Sequence, residues 1–371
     1  MTTTINNKNK KANVPNLRFP EFQGEWITYK IKDVLSIGNG RDYKHLNNGG
    51  IPVFGTGGYM TSVDECLYDG ETTFIGRKGS INKPFYYNGK FWTVDTLFYT
   101  HSFNGITPKF TYCLFQTINW LKYNEASGVP SLSKDTIEKI KINIPKLEEQ
   151  NKIAKLMFAL DERIATQNKI IEDLKKLKSA IIEKLYSEIQ GKEYSYRQLF
   201  DVVNERNKQM EYSNILSASQ EKGMINRDDL NLDIQFERSN INTYKIVRAG
   251  DYVIHLRSFQ GGFAFSDKSG VCSPAYTILR PNSFLEYSYL SNYFTSQRFI
   301  KSLIIVTYGI RDGRSINVDE WLSMKITIPS KEHQQYIVKM IGSFDRKIES
   351  EEAYTIHLSK QKQYILRQMF I

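Results

Sequence analysis

Residues 131–164 read SLSKDTIEKIKINIPKLEEQNKIAKLMFALDERI, and residues 315–348 read SINVDEWLSMKITIPSKEHQQYIVKMIGSFDRKI. The second stretch follows the first at an offset of 184 (315 minus 131), and the two align without a gap as far as Ser187 and Ile371. Of these 57 aligned positions 16 are identical, whereas average residue usage would give about three or four matches. The chain therefore contains an internal repeat.

Each copy of the repeat contains a short β-like run that ends at a proline, Pro145 or Pro329. Proline lacks an N–H group and fixes φ, so a strand can end there but a helix interior cannot pass through it. An acidic residue follows, Glu148 or Glu332, which suits the positive end of a helix N-terminus. The next segment contains no proline in either copy and one glycine in total, so we predict a long helix in each.

Both predicted helices have a heptad seam, in which apolar residues recur at alternating three- and four-residue spacing. The first seam comprises Met157, Leu160, Ile164, Gln167, Ile171, Leu174, Lys178 and Ile181. The second comprises Ile341, Phe344, Ile348, Glu351, Thr355, Leu358, Lys362 and Ile365. Two positions of the seam are polar in both copies, namely Gln167 with Glu351 and Lys178 with Lys362. Polar residues in a seam reduce stability but can determine the register and the partner of the helix. We expect the two helices to pair with each other. Alternatively, each helix covers its own domain, or the seams join two chains.

The domain that precedes each helix has a strand-and-turn pattern. IPVFGTGGYM from Ile51 and IVRAGDYVIHLRSF from Ile246 alternate β-branched and aromatic residues with glycine turns. The opening of the second domain aligns with that of the first at an offset of 168, which places Leu199 on Ile31. We predict an α+β fold with two β-rich domains, each built on a mostly antiparallel sheet, separated by two long antiparallel helices that form a coiled coil. The whole is a pseudo-twofold tandem repeat.

The predicted domain boundaries follow from the repeat. The first domain comprises residues 1–147, of which roughly residues 1–13 form a loose N-terminal tail. The other segments are residues 148–190 for the central helix, residues 191–331 for the second domain and residues 332–371 for the C-terminal helix.

The formal charge of +10 lies mainly in the domains. Residues 1–147 carry 18 basic and 12 acidic side chains, a net charge of +6, and residues 190–331 carry 18 and 15, a net charge of +3. A modest basic excess on globular domains suits nucleic acid. Three cysteines without a close pair favour a reducing, cytoplasmic setting over a disulfide framework. No apolar run approaches the roughly 18 residues that a membrane span needs.

Motifs that carry chemistry are missing from the sequence. The five histidines have no metal-site spacing, and there is no G-x-S-x-G, P-loop or dinucleotide motif. We therefore expect no catalytic residue and no metal site in this chain. Two alternatives to a DNA-reading role stay open: a coiled-coil scaffold protein that never binds DNA, and a stand-alone DNA-modifying enzyme.

Five stretches carry a family resemblance: NLRFPEF at Asn16, IGRKGSINKPF at Ile75, SGVPSLSKDTIEKIKINIPKLEEQ at Ser127, GIRDGRSI at Gly309 and ITIPSKEHQ at Ile326. With them the chain resembles, over essentially its whole length, the specificity subunit of type I restriction-modification systems. The specific feature is a combination of three parts: a strand that ends at a proline, an E-x-Q motif and a long helix. This combination occurs twice, once after each of two unlike β-rich domains.

The resemblance implies two target-recognition domains, each of which reads one half of a split, asymmetric sequence in double-stranded DNA. It also implies that the paired helices act as a ruler, that two methyltransferase subunits bind around them, and that restriction subunits join the complex. Catalysis and cofactors would lie in those partners, with S-adenosylmethionine in the methyltransferase and ATP and Mg²⁺ in the restriction subunit. The chain itself would hold no cofactor, would act in the cytoplasm and would contact no membrane.

Candidate DNA contacts follow from residue chemistry, since arginine reads base edges in the major groove while lysine suits phosphates. Those predicted in the first domain are Arg41, Lys44, Arg77, Lys78 and Lys83. Those predicted in the second domain are Arg257, Gln260, Tyr308, Arg311 and Arg314. For each of them, the alternative is an ordinary solvated surface residue.

Overall fold

The computed structural model describes residues 13–219, 222–230, 238–255, 262–308 and 315–371. The chain divides into two compact units: unit 1 is Met1–Asn168 with Ala353–Ile371, and unit 2 is Lys169–Glu352. Each unit thus includes one β-rich domain and part of each long helix. The four-segment division predicted from the sequence follows the repeat instead and stays a prediction. Apart from Asn13, the predicted N-terminal tail lies outside the described residues.

The first domain is built from short strands and helices. In chain order they are β1 (Ile27–Lys30), α1 (Ile31–Val34), β2 (Ser36–Asn39), β3 (Asn48–Gly55), β4 (Gly58–Val63), β5 (Tyr68–Gly76), β6 (Phe85–Thr93), β7 (Leu97–His101), α2 (Pro108–Phe115), α3 (Lys134–Lys139) and β8 (Lys141–Ile144). A six-stranded sheet has the order β2-β7-β5-β6-β3-β4, and β1 pairs with β8. Neighbouring strands are antiparallel, except that β3 and β6 are parallel.

The second domain follows the long helix α4 (Leu147–Ser187) and precedes the long helix α8 (Lys331–Met369). Its described elements are β9 (Lys192–Ser195), α5 (Tyr196–Leu199), β10 (Phe200–Val203), β11 (Leu216–Ser219), β12 (Gly223–Asn226), β13 (Lys245–Val247), β14 (Tyr252–Ile254), β15 (Phe263–Phe265), β16 (Gly270–Cys272), β17 (Thr277–Pro281), α6 (Gln297–Ser302), β18 (Thr307–Tyr308), β19 (Ser315–Ile316), α7 (Val318–Ser323) and β20 (Lys325–Ile328). No helix in the described ranges combines the length and apolarity needed to cross a membrane.

The second domain repeats the core topology of the first. Its sheet order β10-β17-β14-β15 matches β2-β7-β5-β6, and all these neighbours are antiparallel. β9 pairs with β20 as β1 pairs with β8. The prediction of a duplicated domain around a mostly antiparallel sheet is therefore confirmed.

The front of the repeat is shifted by three residues from the predicted alignment. Ile31 N donates to Ile140 O at 3.0 Å in the first domain, and Tyr196 N donates to Met324 O at 3.0 Å in the second. Since Ile140 and Met324 are equivalent positions of the repeat, at the offset of 184, Tyr196 takes the place of Ile31, at an offset of 165 rather than 168. The predicted match of Leu199 to Ile31 was wrong, because residues three apart share a helix face and both registers present an apolar residue.

Each domain shares a hydrophobic core with the helix segments of its own unit. In unit 1, Phe110 of α2 belongs to the same buried cluster as Met157 of α4 and Phe370, which directly follows α8. In unit 2, Trp321 of α7 belongs to the same cluster as Ile182 of α4. Burial of large apolar side chains between domain and helix explains why each unit takes in parts of both helices.

In unit 1 the first part of α4 lies antiparallel to the last part of α8. Lys362 Nζ donates to Asp161 Oδ1 at 2.5 Å, and Arg163 donates to the hydroxyl of Tyr354. Residue numbers on α8 fall as those on α4 rise, so the two segments run in opposite directions. Lys362 is 8% exposed, and its Nζ also donates to Gln116 Oε1 at 2.8 Å, just beyond α2. This seam lysine therefore joins both helices to the domain.

Unit 2 contains the corresponding lysine–aspartate pair, but here the lysine lies on α4 and the aspartate on α8. Lys178 Nζ donates to Asp345 Oδ1 at 2.5 Å, and Lys175 Nζ lies 2.6 Å from Glu352 Oε1. Lys178 is the repeat equivalent of Lys362, and Asp345 is that of Asp161, so each copy supplies the lysine to one pair and the aspartate to the other. Here too the two segments are antiparallel.

The predicted seam positions are buried or half-buried. The buried ones are Met157, Gln167, Ile171, Ile341, Ile348, Leu358 and Lys362. The half-buried ones are Leu160, Ile164, Leu174, Lys178, Ile181, Phe344, Glu351, Thr355 and Ile365. At the last slot the next residues, Ile182 and Leu366, are buried instead of Ile181 and Ile365. An α-helix has about 3.6 residues per turn and drifts from a strict heptad, so the contact moves on by one residue.

The glutamine of each E-x-Q motif fixes the start of a long helix. Gln150 is 0% exposed; its Nε2 donates to Pro145 O and Gly105 O at 2.9 Å each, and its Oε1 accepts from Thr107 N at 2.9 Å. Thr107 also caps α2, since its hydroxyl accepts from Phe110 N at 3.3 Å. The buried amide thus joins a strand end, a loop and two helix starts.

The second copy has the same arrangement around Gln334, which is 1% exposed. Its Nε2 donates to Pro329 O at 3.1 Å and to Phe284 O at 3.0 Å, and its Oε1 accepts from Glu286 N at 2.8 Å. A buried amide needs such partners, because desolvating it unpaired is costly. The repeated motif therefore has a structural cause in both units.

Candidate nucleic-acid interface

Loops of the first domain meet at the connection between β6 and β7. Arg41 N donates to Thr93 O at 2.7 Å, and Val94 N donates to Phe54 O at 3.0 Å. These bonds bring the loop after β2 and the end of β3 to the same place. Gly40 allows the close approach, since a Cβ at this position would lie 1.9 Å from Val94 O.

The loop after β5 joins the same connection and continues to a further loop before α3. Arg77 N donates to Thr96 O at 2.8 Å, and Gly79 N donates to Pro130 O at 2.8 Å. Lys78 forms a β-bridge with Ser131. We call the residues gathered in this way the loop cluster. It comprises residues 40–47, 54–60, 77–84, 93–96 and 126–133.

The loop before α3 is held in shape by two polar side chains. Asn124 Oδ1 accepts from Ala126 N at 3.1 Å and from Ser131 N at 2.9 Å. Glu125 Oε1 accepts from Ser133 Oγ at 2.7 Å and from the hydroxyl of Thr136. The hydrogen bonds from Thr136 and Ser133 lower the pKa of the Glu125 carboxyl, because they stabilise its charged form.

All five predicted DNA contacts of the first domain fall within the loop cluster. Arg41, Lys44, Lys78 and Lys83 are exposed. Arg77 is half-buried: its Nη1 donates to Asp95 O at 3.3 Å, and its Cζ lies 5.8 Å from the Phe98 ring centroid. Arg41 and Arg77 are bonded to one connection, whereas Lys44 and Lys83 lie further along the same two loops. Their role in DNA binding stays a prediction.

The sequence reasoning missed an apolar part of the loop cluster. Tyr59 and Met60, which follow the turn between β3 and β4, are 65% and 50% exposed, and Val129 is 66% exposed. The Gly55-Thr56-Gly57-Gly58 run directly before Tyr59 was the signal that could have found them, since a tight turn displays the residues beside it. A site that combines exposed cations with exposed apolar side chains can contact both phosphates and base edges.

Most of the predicted contacts in the second domain, namely Arg257, Gln260, Arg311 and Arg314, lie outside the described residues. Tyr308 lies in β18, whose backbone pairs with β19 at Ser315.

Basic residues of the described second domain include several that already have partners. Arg280 donates through Nε and Nη2 to the two carboxylate oxygens of Asp251, at 2.9 and 3.0 Å. The hydrogen bond to Asp251 raises the pKa of Arg280. Arg248 Nη2 donates to Glu205 Oε1 at 2.9 Å. These pairs neutralise two cations within the domain and leave less of its positive charge for a ligand. Within the described ranges, no cluster of three or more His, Cys, Asp or Glu side chains could hold a metal ion.

Comparison with known proteins gives one family. Residues 23–176 and 191–359 match the family model of the Type I restriction modification DNA specificity domain. The type I restriction enzyme MjaVIII specificity subunit of Methanocaldococcus jannaschii is 26% identical over 343 residues, which cover 81% of this chain and 76% of the relative. The putative type I restriction enzyme MjaX specificity subunit of the same organism is 23% identical in a gapped alignment of 389 positions, which covers 96% of this chain and 87% of the relative.

Two solved structures share the fold. A type I restriction-modification S subunit from M. genitalium has a TM-score of 0.60 at 15% identity, covering 96% of this chain and 99% of that one. A chain from a study of complex assembly and conformational transition of the type I R-M system has a TM-score of 0.59 at 14% identity, covering 93% and 97%. Together with the antiparallel helix pairing in each unit, they confirm the predicted fold class.

Proposed function

The chain belongs to the family of type I restriction modification DNA specificity domains, of which it carries two copies, and we propose that it is the subunit that reads DNA sequence in a type I restriction-modification complex. The family resemblance stated from the sequence motifs is confirmed by this membership. Each domain would read one half of a bipartite, asymmetric site in double-stranded DNA.

The observation that carries the proposal is a repeated core with unlike loops. Both domains share the four-strand order described above, but β3 and β4 of the first domain have no counterpart in the matching four-strand sheet of the described second domain. Instead the second domain has the separate pairs β11-β12 and β13-β16. Because binding residues concentrate on loops held by a rigid scaffold, one scaffold with two loop sets suits two different half-sites.

Electrostatics supports DNA as the ligand of the loop cluster. The first domain has the larger positive charge, +6 over residues 1–147, and four of its five candidate cations are exposed around one connection. Cations on preordered loops contact phosphates and fix the orientation of the domain, so that other side chains can read base edges.

The partners and cofactors form the second part of the proposal. We propose that two methyltransferase subunits and the restriction subunits assemble on this chain in the cytoplasm, and that the paired helices set the spacing of the half-sites. Catalysis would lie in those partners, which would hold S-adenosylmethionine, ATP and Mg²⁺, while this chain would be non-catalytic. The relatives support this assignment, since they are specificity subunits of type I restriction enzymes.

Methylation-sensitive sequencing of DNA from cells that carry the chain with its methyltransferase partner tests the proposal. We expect one bipartite motif to be methylated, and Arg41→Ala to relax or abolish recognition in one half of it only. Lys90→Ala is the control, because Lys90 is an exposed cation on β6 of the same domain, outside the loop cluster. A motif that survives deletion of this chain would point to a scaffold role. Methyl transfer by the purified chain alone would point to a stand-alone enzyme.

A further inference from the structure

The exposed apolar side chains of the loop cluster lie between its basic loops. The Met60 sulfur packs over Gly55: a Cβ at Gly55 would lie 2.7 Å from Met60 Sδ and 3.5 Å from Val94 Cγ2. Val94 directly follows Thr93, whose carbonyl oxygen accepts from Arg41 N. The Met60 side chain is therefore close to the loop that presents Arg41.

The turn that precedes Met60 also approaches the loop after β5. A Cβ at Gly79 would lie 3.8 Å from Thr56 Oγ1, and Gly79 directly follows the exposed Lys78. Gly79 N donates to the carbonyl oxygen of Pro130, which directly follows the exposed Val129. An exposed methionine is thus placed between two loops that each carry exposed cations.

We propose that Met60 reads a thymine by packing against its C5 methyl group in the half-site bound by the first domain, an inference that rests on the proposed function. Charge complementarity favours DNA as the ligand, since the apolar contact is flanked by Lys78, which suits phosphates, and by Arg41, which suits base edges. In the major groove thymine presents a methyl group, and apolar side chains recognise it. A thioether on three rotatable bonds adapts its shape to such a contact.

Tyr59 is less suited to this role than Met60. Its hydroxyl lies 3.1 Å from Ser62 Oγ, a hydrogen-bond distance that holds the ring along the strand. Tyr59 and Met60 are successive residues of β4, so their side chains leave opposite faces of the strand, and the one that packs over Gly55 is Met60.

Deoxyuridine substitution tests the inference, because deoxyuridine lacks only the C5 methyl group of thymidine. The complex of the full chain with its methyltransferase partner is bound to duplexes in which each thymine of the recognised site is replaced in turn. We expect one position in one half-site to weaken binding by about fourfold, the effect of one buried methyl group. Met60→Ala should abolish this penalty, whereas Met60→Leu should retain it.

Two further variants sharpen the test. Gly55→Ala leaves Met60 in the chain but displaces its sulfur, so it should reduce the deoxyuridine penalty. Met210→Ala removes a methionine of the second domain that is 55% exposed, and it should leave the penalty unchanged. A recognised site without a thymine penalty, or a penalty that persists in Met60→Ala, would overturn the inference while sequence-specific binding remains. Absence of sequence-specific binding by the unmodified complex would overturn the proposed function itself.

Discussion

Two buried glutamines, Gln150 and Gln334, make equivalent hydrogen bonds at the starts of the two long helices. Gln150→Ala would leave the carbonyls of Pro145 and Gly105 and the amide of Thr107 without their partner. We expect the free energy of unfolding of unit 1 to fall by about 2 kcal/mol, because each orphaned buried group costs about 1–3 kcal/mol and partial hydration recovers some of it.

Urea unfolding of the full chain measures this loss, and Gln334→Ala should give a similar loss in unit 2. Gln361→Ala is the control, because Gln361 is exposed on α8 and surface substitutions usually change stability by less than about 0.5 kcal/mol. An effect of Gln150→Ala as small as that of the control would contradict an anchoring role.

The sequence allowed this glutamine to be noticed but not explained. The E-x-Q motif is visible in both copies. However, Gln150 forms hydrogen bonds with Gly105 and Thr107, which precede it by 45 and 43 positions in the chain. The same limit applies to Met60, whose neighbours Val94 and Gly55 are brought to it only by the sheet. Periodicity reports which face a residue occupies, whereas a contact between distant loops depends on the folded topology.

At the scale of elements, the heptad pattern predicted both long helices and the two polar seam slots. It did not predict that the seam lysines pair with aspartates outside the seam, Asp161 and Asp345. That pairing depends on the antiparallel register, which a single-helix pattern does not contain. The alignment of Leu199 instead of Tyr196 with Ile31 has a related cause. Residues three apart lie on the same apolar face of a helix, so the sequence pattern does not distinguish the two alignments.

The two lysine–aspartate pairs should differ in strength because their burial differs. The Lys362 and Asp161 side chains are 11% and 33% exposed, whereas those of Lys178 and Asp345 are 21% and 43% exposed. Lys362→Ala should cost about 3 kcal/mol, because it leaves a largely buried carboxylate uncompensated. Lys178→Ala should cost less, about 1 kcal/mol, because solvent screens its pair.

A double-mutant cycle with urea unfolding separates the pair from its surroundings. The cycle comprises Lys362→Met, Asp161→Leu and their combination, and the combination should recover most of the stability lost in Lys362→Met, since apolar residues often replace a buried ion pair at little cost. A double variant as unstable as Lys362→Met would instead show that the hydrogen bond from Lys362 to Gln116 dominates.

In the whole molecule, net positive charge and loop side chains contribute to DNA binding in different ways. The excess of basic over acidic residues gives sequence-independent attraction, and it lies in the domains rather than in the helices, whose net charge is 0 over residues 148–189 and +1 over residues 332–371. The domain charge could be counted from the sequence alone. Which cations face a ligand could not, because Arg280 is as basic as Arg41 in sequence but is paired with Asp251 in the fold.

The salt dependence of DNA binding follows from this division. Each phosphate contact releases counterions, so the slope of log K against log salt should fall by roughly 0.9 in magnitude when one contact is removed. We expect Lys83→Ala and Lys78→Ala each to reduce the slope by about this amount, and to weaken specific and non-specific duplexes alike. Titrations of the partner-bound chain from low to high salt give the slope, with Lys90→Ala as the control that leaves it unchanged. If neither lysine substitution changes the slope, the phosphate contacts of the first domain lie outside the loop cluster. If the affinity falls for one duplex sequence only, these lysines read bases rather than contact phosphates.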